Sequence, residues 1–216
     1  MSHKIIQNFN LLRKEIVSKN KNVKIIAVTK TFPIETIMPL IEYGHSHFGE
    51  NKVQEAVSKW QNIKSNYKDI KLHLIGKLQT NKVKYILPLF DYIHSLDNLK
   101  LAEKINKEQE KKNFKPQIFV QVNIGNETQK NGINIDQLEI FLSQCKKNFK
   151  LNIIGLMCIP PDNDNTEIYF KEMQNLCEKF QLSQLSMGMS NDYNLAIKNG
   201  ATFVRVGSKI FGNRST

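Results

Sequence analysis

Three groups of residues in this sequence are equipped for chemistry. The first is Lys24-Ile25-Ile26-Ala27-Val28-Thr29-Lys30-Thr31, a short apolar run rich in β-branched residues that ends in a lysine. Read as a buried strand, it delivers the Lys30 ammonium to the strand's carboxyl end, where ligands sit in parallel α/β architectures. An amine partly desolvated there is a better nucleophile towards a carbonyl. The plainer alternative is a lysine that closes a strand and reaches into water. The second group is C-terminal: Ser186-Met187-Gly188-Met189-Ser190, and then Gly207-Ser208-Lys209-Ile210-Phe211-Gly212. Glycines permit close backbone approach and serines add hydroxyl donors, so the pair of segments suits a phosphate. Two turns that need glycine would look the same. The third is Arg205, set between Val204 and Val206. A strand arginine is expensive to bury unless it is paired, so it is either bonded to an acidic partner or aimed at a ring nitrogen or an anion.

The elements that must hold these groups follow from hydrophobic periodicity. Ile5, Phe9, Leu12 and Ile16 make one helical stripe over residues 4–18. Strands are expected near 24–29, 47–49, 72–75, 91–94, 117–122, 152–156, 184–187 and 202–206. Helical patterns lie between them, with Asp97 capping one, Asp136 beginning another and Gly188-Met189-Ser190 starting the last before strand eight. Eight strand–helix alternations without a linker or a low-complexity segment imply a parallel sheet, and eight fit a closed (β/α)8 TIM barrel with an extra N-terminal helix. The alternative is a doubly wound open sheet. It normally carries a Gly-rich turn after its first strand, where Thr31-Phe32-Pro33 stands here. One domain over residues 1–216 is expected.

Composition narrows the function classes. The formal net charge is +11 over 216 residues, and the excess is almost all lysine. The arginines are Arg13, Arg205 and Arg214. Nucleic-acid surfaces cluster arginine with aromatic residues, so the expectation is a solvated lysine surface and no nucleic-acid partner. No apolar run is long enough to span a bilayer, and the N-terminus is amphipathic rather than a signal peptide, so no membrane partner is expected. Cys145, Cys158 and Cys177 are widely spaced with no CxxC, which suits reduced thiols in a cytoplasmic protein. His45, His47, His73 and His94 suggest no metal site, the His45/His47 pair being read as one face of a strand.

An amine nucleophile, a phosphate cup and an inward arginine together suit pyridoxal 5'-phosphate, its aldehyde forming an imine with Lys30 and its phosphate filling the cup. At this point the sequence resembles a known family. The segments AVTKTFP (27–33), HFGENKVQE (47–55), HLIGKLQTNKVKYI (73–86), HSLDNLKLAEKI (94–105), QVNIGNETQKNGI (121–133), GLM (155–157) and SMGMSNDYNLAIKNGATFVRVGSKIFGNR (186–214) are similar to those of the pyridoxal phosphate homeostasis proteins, formerly called proline synthase co-transcribed proteins. Thr29 stands where many members have serine, and Lys77 where many have histidine or another residue.

The resemblance implies a barrel like the N-terminal domain of fold-type III alanine racemases, with an imine at Lys30. It implies Arg205 facing the pyridine nitrogen, Ser190, Gly207 and Ser208 holding phosphate, Asn51 close to the ring, and Met187 in the same cofactor-binding set. Racemases of this fold type use a second domain that supplies a tyrosine acid/base, whereas this chain ends at Thr216, just past strand eight. The implied protein is a carrier or buffer in pyridoxal phosphate homeostasis, with no catalytic residues. Apo pyridoxal phosphate-dependent enzymes would be its partners, and it is expected to be a monomer. An amino-acid racemase and a basic nucleic-acid-binding module are the competing readings.

Overall fold

The computed structural model describes residues 2–163 and 165–212. Among them, parallel strands close into one barrel in the order β1 (Lys24–Val28), β2 (His47–Glu50), β3 (Lys71–Leu74), β4 (Tyr92–Leu96), β5 (Gln117–Val122), β6 (Asn152–Cys158), β7 (Gln184–Ser186) and β8 (Phe203–Val206), with β8 pairing back to β1. Helices alternate with them: α1 (Ser2–Lys19) before β1, then α2 (Ile34–Glu42), α3 (Val53–Asn66), α4 (Val83–Ile86), α5 (Leu99–Lys112), α6 (Ile135–Asn148), α7 (Thr166–Lys179), α8 (Tyr193–Lys198) and α9 (Ser208–Phe211). The closed ring removes the doubly wound alternative. Arg214 lies outside the described residues.

Two layers of core hold the ring. Between strands and helices runs a continuous apolar shell that includes Trp60, Phe48, Phe90, Phe170 and Leu72, and the α1 stripe of Ile5, Phe9, Leu12 and Ile16 is buried in it. Inside the barrel, Ile26, Tyr92, Phe119, Met157 and Phe203 form a separate plug. The alternation of strand side chains then decides which residues face the barrel axis. Ile26 is inward, so Val28 and Lys30 continue that face. Phe203 is inward, so Arg205 and Gly207 continue it on β8. The register Ile26↔Arg205 makes Lys30 and Arg205 neighbours in strand order although 175 positions separate them in the chain (205 − 30).

Some local expectations are corrected. The helix near residue 98 is capped by Asn98, whose Oδ1 accepts from Leu101 N at 2.8 Å; Asp97 instead accepts from the Asn98 amide at 2.7 Å. Residues 188 and 189 are irregular, a turn spans 190–192, and α8 begins only at Tyr193; Gly188 sits at φ +90°, outside helical geometry, with Ala196 and Tyr193 packed closely behind it. β6 runs two residues further than expected, to Cys158. His45 precedes β2, and its Nε2 pairs with the His47 carbonyl at 2.8 Å, so the two histidines do not share a strand face.

Candidate functional site

A cavity of about 1000 Å³ opens at the carboxyl ends of the strands. Lys30, Asn51, Ser190, Arg205, Gly207 and Ser208 all line it, Arg205 from β8 itself and the others from segments after β1, β2, β7 and β8. Met187 does not line it and is packed, fully buried, in the outer shell. Its position one residue past the inward Ser186 turns its side chain towards the helices.

The Lys30 backbone is held from both sides. Thr29 Oγ1 donates to Glu50 Oε1 at 2.7 Å, and Thr31 N donates to Glu55 Oε1 at 2.6 Å. Lys59 Nζ ties the two carboxylates together, donating to Glu50 at 2.9 Å, to Glu55 at 3.1 Å and to the Thr29 carbonyl at 3.0 Å. Burial pushes the Glu55 carboxyl up, but the Thr31 N–H and the Lys59 ammonium outweigh it and hold the group below its usual value. Thr31 sits at φ +69°, in the left-handed region that β-branched residues avoid. Strain of this kind persists only where neighbours over-determine it, and here it turns the chain immediately after Lys30.

Arg205 is buried. Nη1 donates to the Ser186 carbonyl at 2.7 Å and to Ser186 Oγ at 2.8 Å, while Nη2 donates to the Cys158 carbonyl at 2.8 Å. Three of five N–H groups are thereby used. Its partners are carbonyl and hydroxyl oxygens, so the acidic partner considered from sequence is not among them. Asn51 Oδ1 is buried with no hydrogen-bond partner among the described residues. An orphaned acceptor in a cavity wall suits a ligand that brings a donor.

Close backbone approach also fixes Asn51. A Cβ at Gly76 would lie 2.3 Å from the Asn51 carbonyl oxygen. Gly76→Ala is therefore expected to displace Asn51 and to lower stability by about 1–3 kcal/mol, read from denaturant unfolding. An unchanged midpoint would show that the loop yields freely.

Burial pushes Cys158 up to about 12, against a partial opposing effect of Arg205, and pushes Cys145 and Cys177 up to about 11. Among the described residues no cluster of His, Cys, Asp and Glu could hold a metal ion, and no helix is long and apolar enough to cross a membrane.

The histidines carry a pH dependence. Burial, first of all, lowers His45 and His47 from 6.5 to about 4, and Lys24 and Lys71 lower His47 further. Burial likewise holds His73 and His94 well below the ordinary value. The unfolded chain binds protons on these groups from about pH 6.5 downward, whereas the folded chain resists them. Stability is therefore complete above pH 6.5 and is lost as the pH falls towards 4. A thermal midpoint that is level near neutrality and drops steeply through that window is expected.

The sequence reading missed Glu50, Glu55 and Lys59 around Lys30, and it missed that His47, His73 and His94 meet one another. Strand parity marks each of the three histidines as inward on a successive strand, but Glu55 and Lys59 lie on α3, where strand parity reports nothing.

Comparison with known proteins follows the same lines. Residues 2–215 match the family described as alanine racemase, N-terminal domain. A pyridoxal phosphate homeostasis protein of Aquifex aeolicus is 38% identical over 200 residues, covering 88% of this chain and 87% of its own length. PipY of Synechococcus elongatus PCC7942, solved without and with PLP bound, superposes with TM-scores of 0.89 and 0.87 at 34% and 33% identity, over 96% of this chain and 100% of PipY in both cases. An alanine racemase from Clostridium difficile 630 shares the fold at a TM-score of 0.76 and 14% identity, over 99% of this chain and 57% of the racemase.

Proposed function

The chain belongs to the pyridoxal phosphate homeostasis protein family, built on the alanine racemase N-terminal domain, and from that premise we propose that it binds pyridoxal 5'-phosphate in the barrel cavity as an intracellular carrier or buffer of the cofactor. One observation carries the reading. Lys30, two residues past the end of β1, and Arg205, on the adjoining β8, line a single cavity with Asn51, Ser190, Gly207 and Ser208. The residues fit the group's chemistry point by point. Lys30 is the amine for its aldehyde: a C=N bond forms and water leaves. Ser190, Gly207 and Ser208 offer hydroxyls and backbone amides to its phosphate. Arg205 keeps two N–H groups beyond those given to Ser186 and Cys158, and Asn51 Oδ1 accepts a donor such as a phenolic O–H.

When bound, the cofactor supplies an electron sink for carbanion chemistry, and Arg205 weakens that capacity. A guanidinium does not release its proton, so a ring nitrogen beside it stays unprotonated. Among the described residues the cavity wall holds no tyrosine, histidine or cysteine, and its carboxyl groups are those of Asp162, Glu167 and Asp192. The reading is therefore binding and delivery with little or no turnover, by a cytoplasmic monomer that passes the cofactor to apo enzymes.

The test loads the full chain with pyridoxal 5'-phosphate, reduces it with borohydride and maps the modified peptide. A single label on Lys30 is expected. Incubation of the loaded protein with single-enantiomer amino acids is expected to leave them enantiomerically pure. Sustained turnover would sink the carrier reading, and a label elsewhere would sink the site.

A further inference from the structure

Behind Arg205 the barrel interior holds a row of polar side chains that cofactor binding does not itself use. β2, β3 and β4 each place one histidine there, and β7 places Ser186. His47 Nδ1 lies 2.9 Å from His73 Nε2, His73 Nδ1 lies 2.9 Å from His94 Nε2, and His94 Nδ1 lies 2.9 Å from Ser186 Oγ. Ser186 Oγ in turn receives Arg205 Nη1 at 2.8 Å. His73, His94 and Ser186 are wholly buried, and aromatic rings wall the row: His73 stacks on Tyr92 at 4.1 Å and His94 on Phe119 at 4.3 Å. The far end, His47, is half-buried.

The donor-only guanidinium sets the direction of every bond in this row. Ser186 Oγ accepts from Arg205, so its single O–H is free to donate to His94 Nδ1. His94 Nδ1 is then bare and its proton sits on Nε2, which donates to His73 Nδ1. By the same step His73 Nε2 donates to His47 Nδ1, and His47 keeps its proton on Nε2. The reverse direction would leave the Ser186 O–H buried with no acceptor among the described residues, a cost that buried polar groups avoid. Burial favours the uncharged imidazoles that this arrangement needs.

We propose that Ser186, His94, His73 and His47 are positioning residues for Arg205: one hydrogen-bonded file, each imidazole protonated on Nε2, that fixes the guanidinium at the ring-nitrogen end of the cavity and turns no acidic N–H towards it. The inference rests on the cofactor reading above for its purpose, but not for its geometry. It gives four residues away from the cavity a say in how tightly, and in what electronic state, the cofactor is held.

The test has two arms on the full chain. In the first, long-range proton–nitrogen spectra of imidazole-labelled protein without cofactor assign the tautomers near neutral pH. Three imidazoles protonated on Nε2 alone are expected for His47, His73 and His94. In the second, Ser186→Ala and, should that variant fold poorly, His73→Gln are loaded with pyridoxal 5'-phosphate beside the wild type. Binding weaker by about tenfold and a shifted visible spectrum are expected, although neither residue lines the cavity. The conservative Ser186→Thr, which keeps the hydroxyl, is expected to restore both. A proton on Nδ1 of any of the three in the wild type, or an imidazolium there, overturns the file while cofactor uptake continues. Unchanged affinity and spectrum in the variants overturn the positioning role. A wild type that takes up no cofactor overturns the cofactor reading itself and this role with it, and the tautomers then still report the file.

Discussion

Lys30→Ala is expected to abolish the borohydride-stable attachment of pyridoxal 5'-phosphate completely, together with its visible colour, while the thermal midpoint moves by no more than about 2 °C. The two halves of this expectation have different causes. Chemistry is lost because the amine at the end of β1 is removed. The fold is kept because what shapes this turn is the pinning of Thr29 and Thr31 by Glu50 and Glu55, which the substitution leaves in place. Lys130 is the other lysine in the cavity wall among the described residues; its ammonium is ion-paired with Glu127 and donates to the Pro160 carbonyl at 3.1 Å. Peptide mapping separates the cases. A label that moves to Lys130 in the variant would show the right cavity with the wrong amine; undiminished labelling elsewhere would show the wrong cavity.

Much of this was legible in the sequence because it depends on one-dimensional patterns. Eight alternations of β-branched runs with helical stripes define a barrel, and the runs ending in Lys30 or containing Arg205 mark its mouth. The heptad-like stripe Ile5, Phe9, Leu12, Ile16 is a helix face at any level of description. What escaped depends on register between strands. Gly49 pairs with His73 and His73 with Tyr92, and no periodicity within a single strand reports that three histidines from three strands will touch. Boundaries escaped for a more local reason. Asp97 and Asn98 are both competent caps, and the choice between them rests on which backbone is extended, as Asn98 is at φ −161° and ψ 157°. Met187 shows the complementary difficulty. A residue inside a binding motif is assigned to the ligand, although alternation along the segment sends it to the helix side. Sequence motifs carry the composition of a site more reliably than the facing of each member.

The supports of Lys30 should prove costlier to lose than Lys30 itself. Glu50 is fully buried, and its Oε1 accepts from Thr29 Oγ1, Lys59 Nζ and Trp60 Nε1, the last two at 2.9 Å. Glu50→Ala removes the acceptor of three donors and leaves the nearly buried Lys59 with only part of its compensation. Breaking one side of such a pair costs about 3–5 kcal/mol, which for a chain of this size lowers the midpoint by about 10 °C. Lys59→Met should cost a comparable amount, since it strands a carboxylate whose Oε2 already lacks a partner among the described residues. The double variant decides whether charge pairing or mere packing is responsible. If the penalty is that of an uncompensated buried charge, removing both ends with apolar residues returns a large share of it, and the cycle gives a coupling of about 1–3 kcal/mol. Strict additivity would reduce Glu50 and Lys59 to space-fillers. Cofactor uptake in the double variant then separates stability from aim: with Thr29 and Thr31 no longer clamped through Lys59, a chain that regains its midpoint is still expected to form the Lys30 attachment more slowly than the wild type.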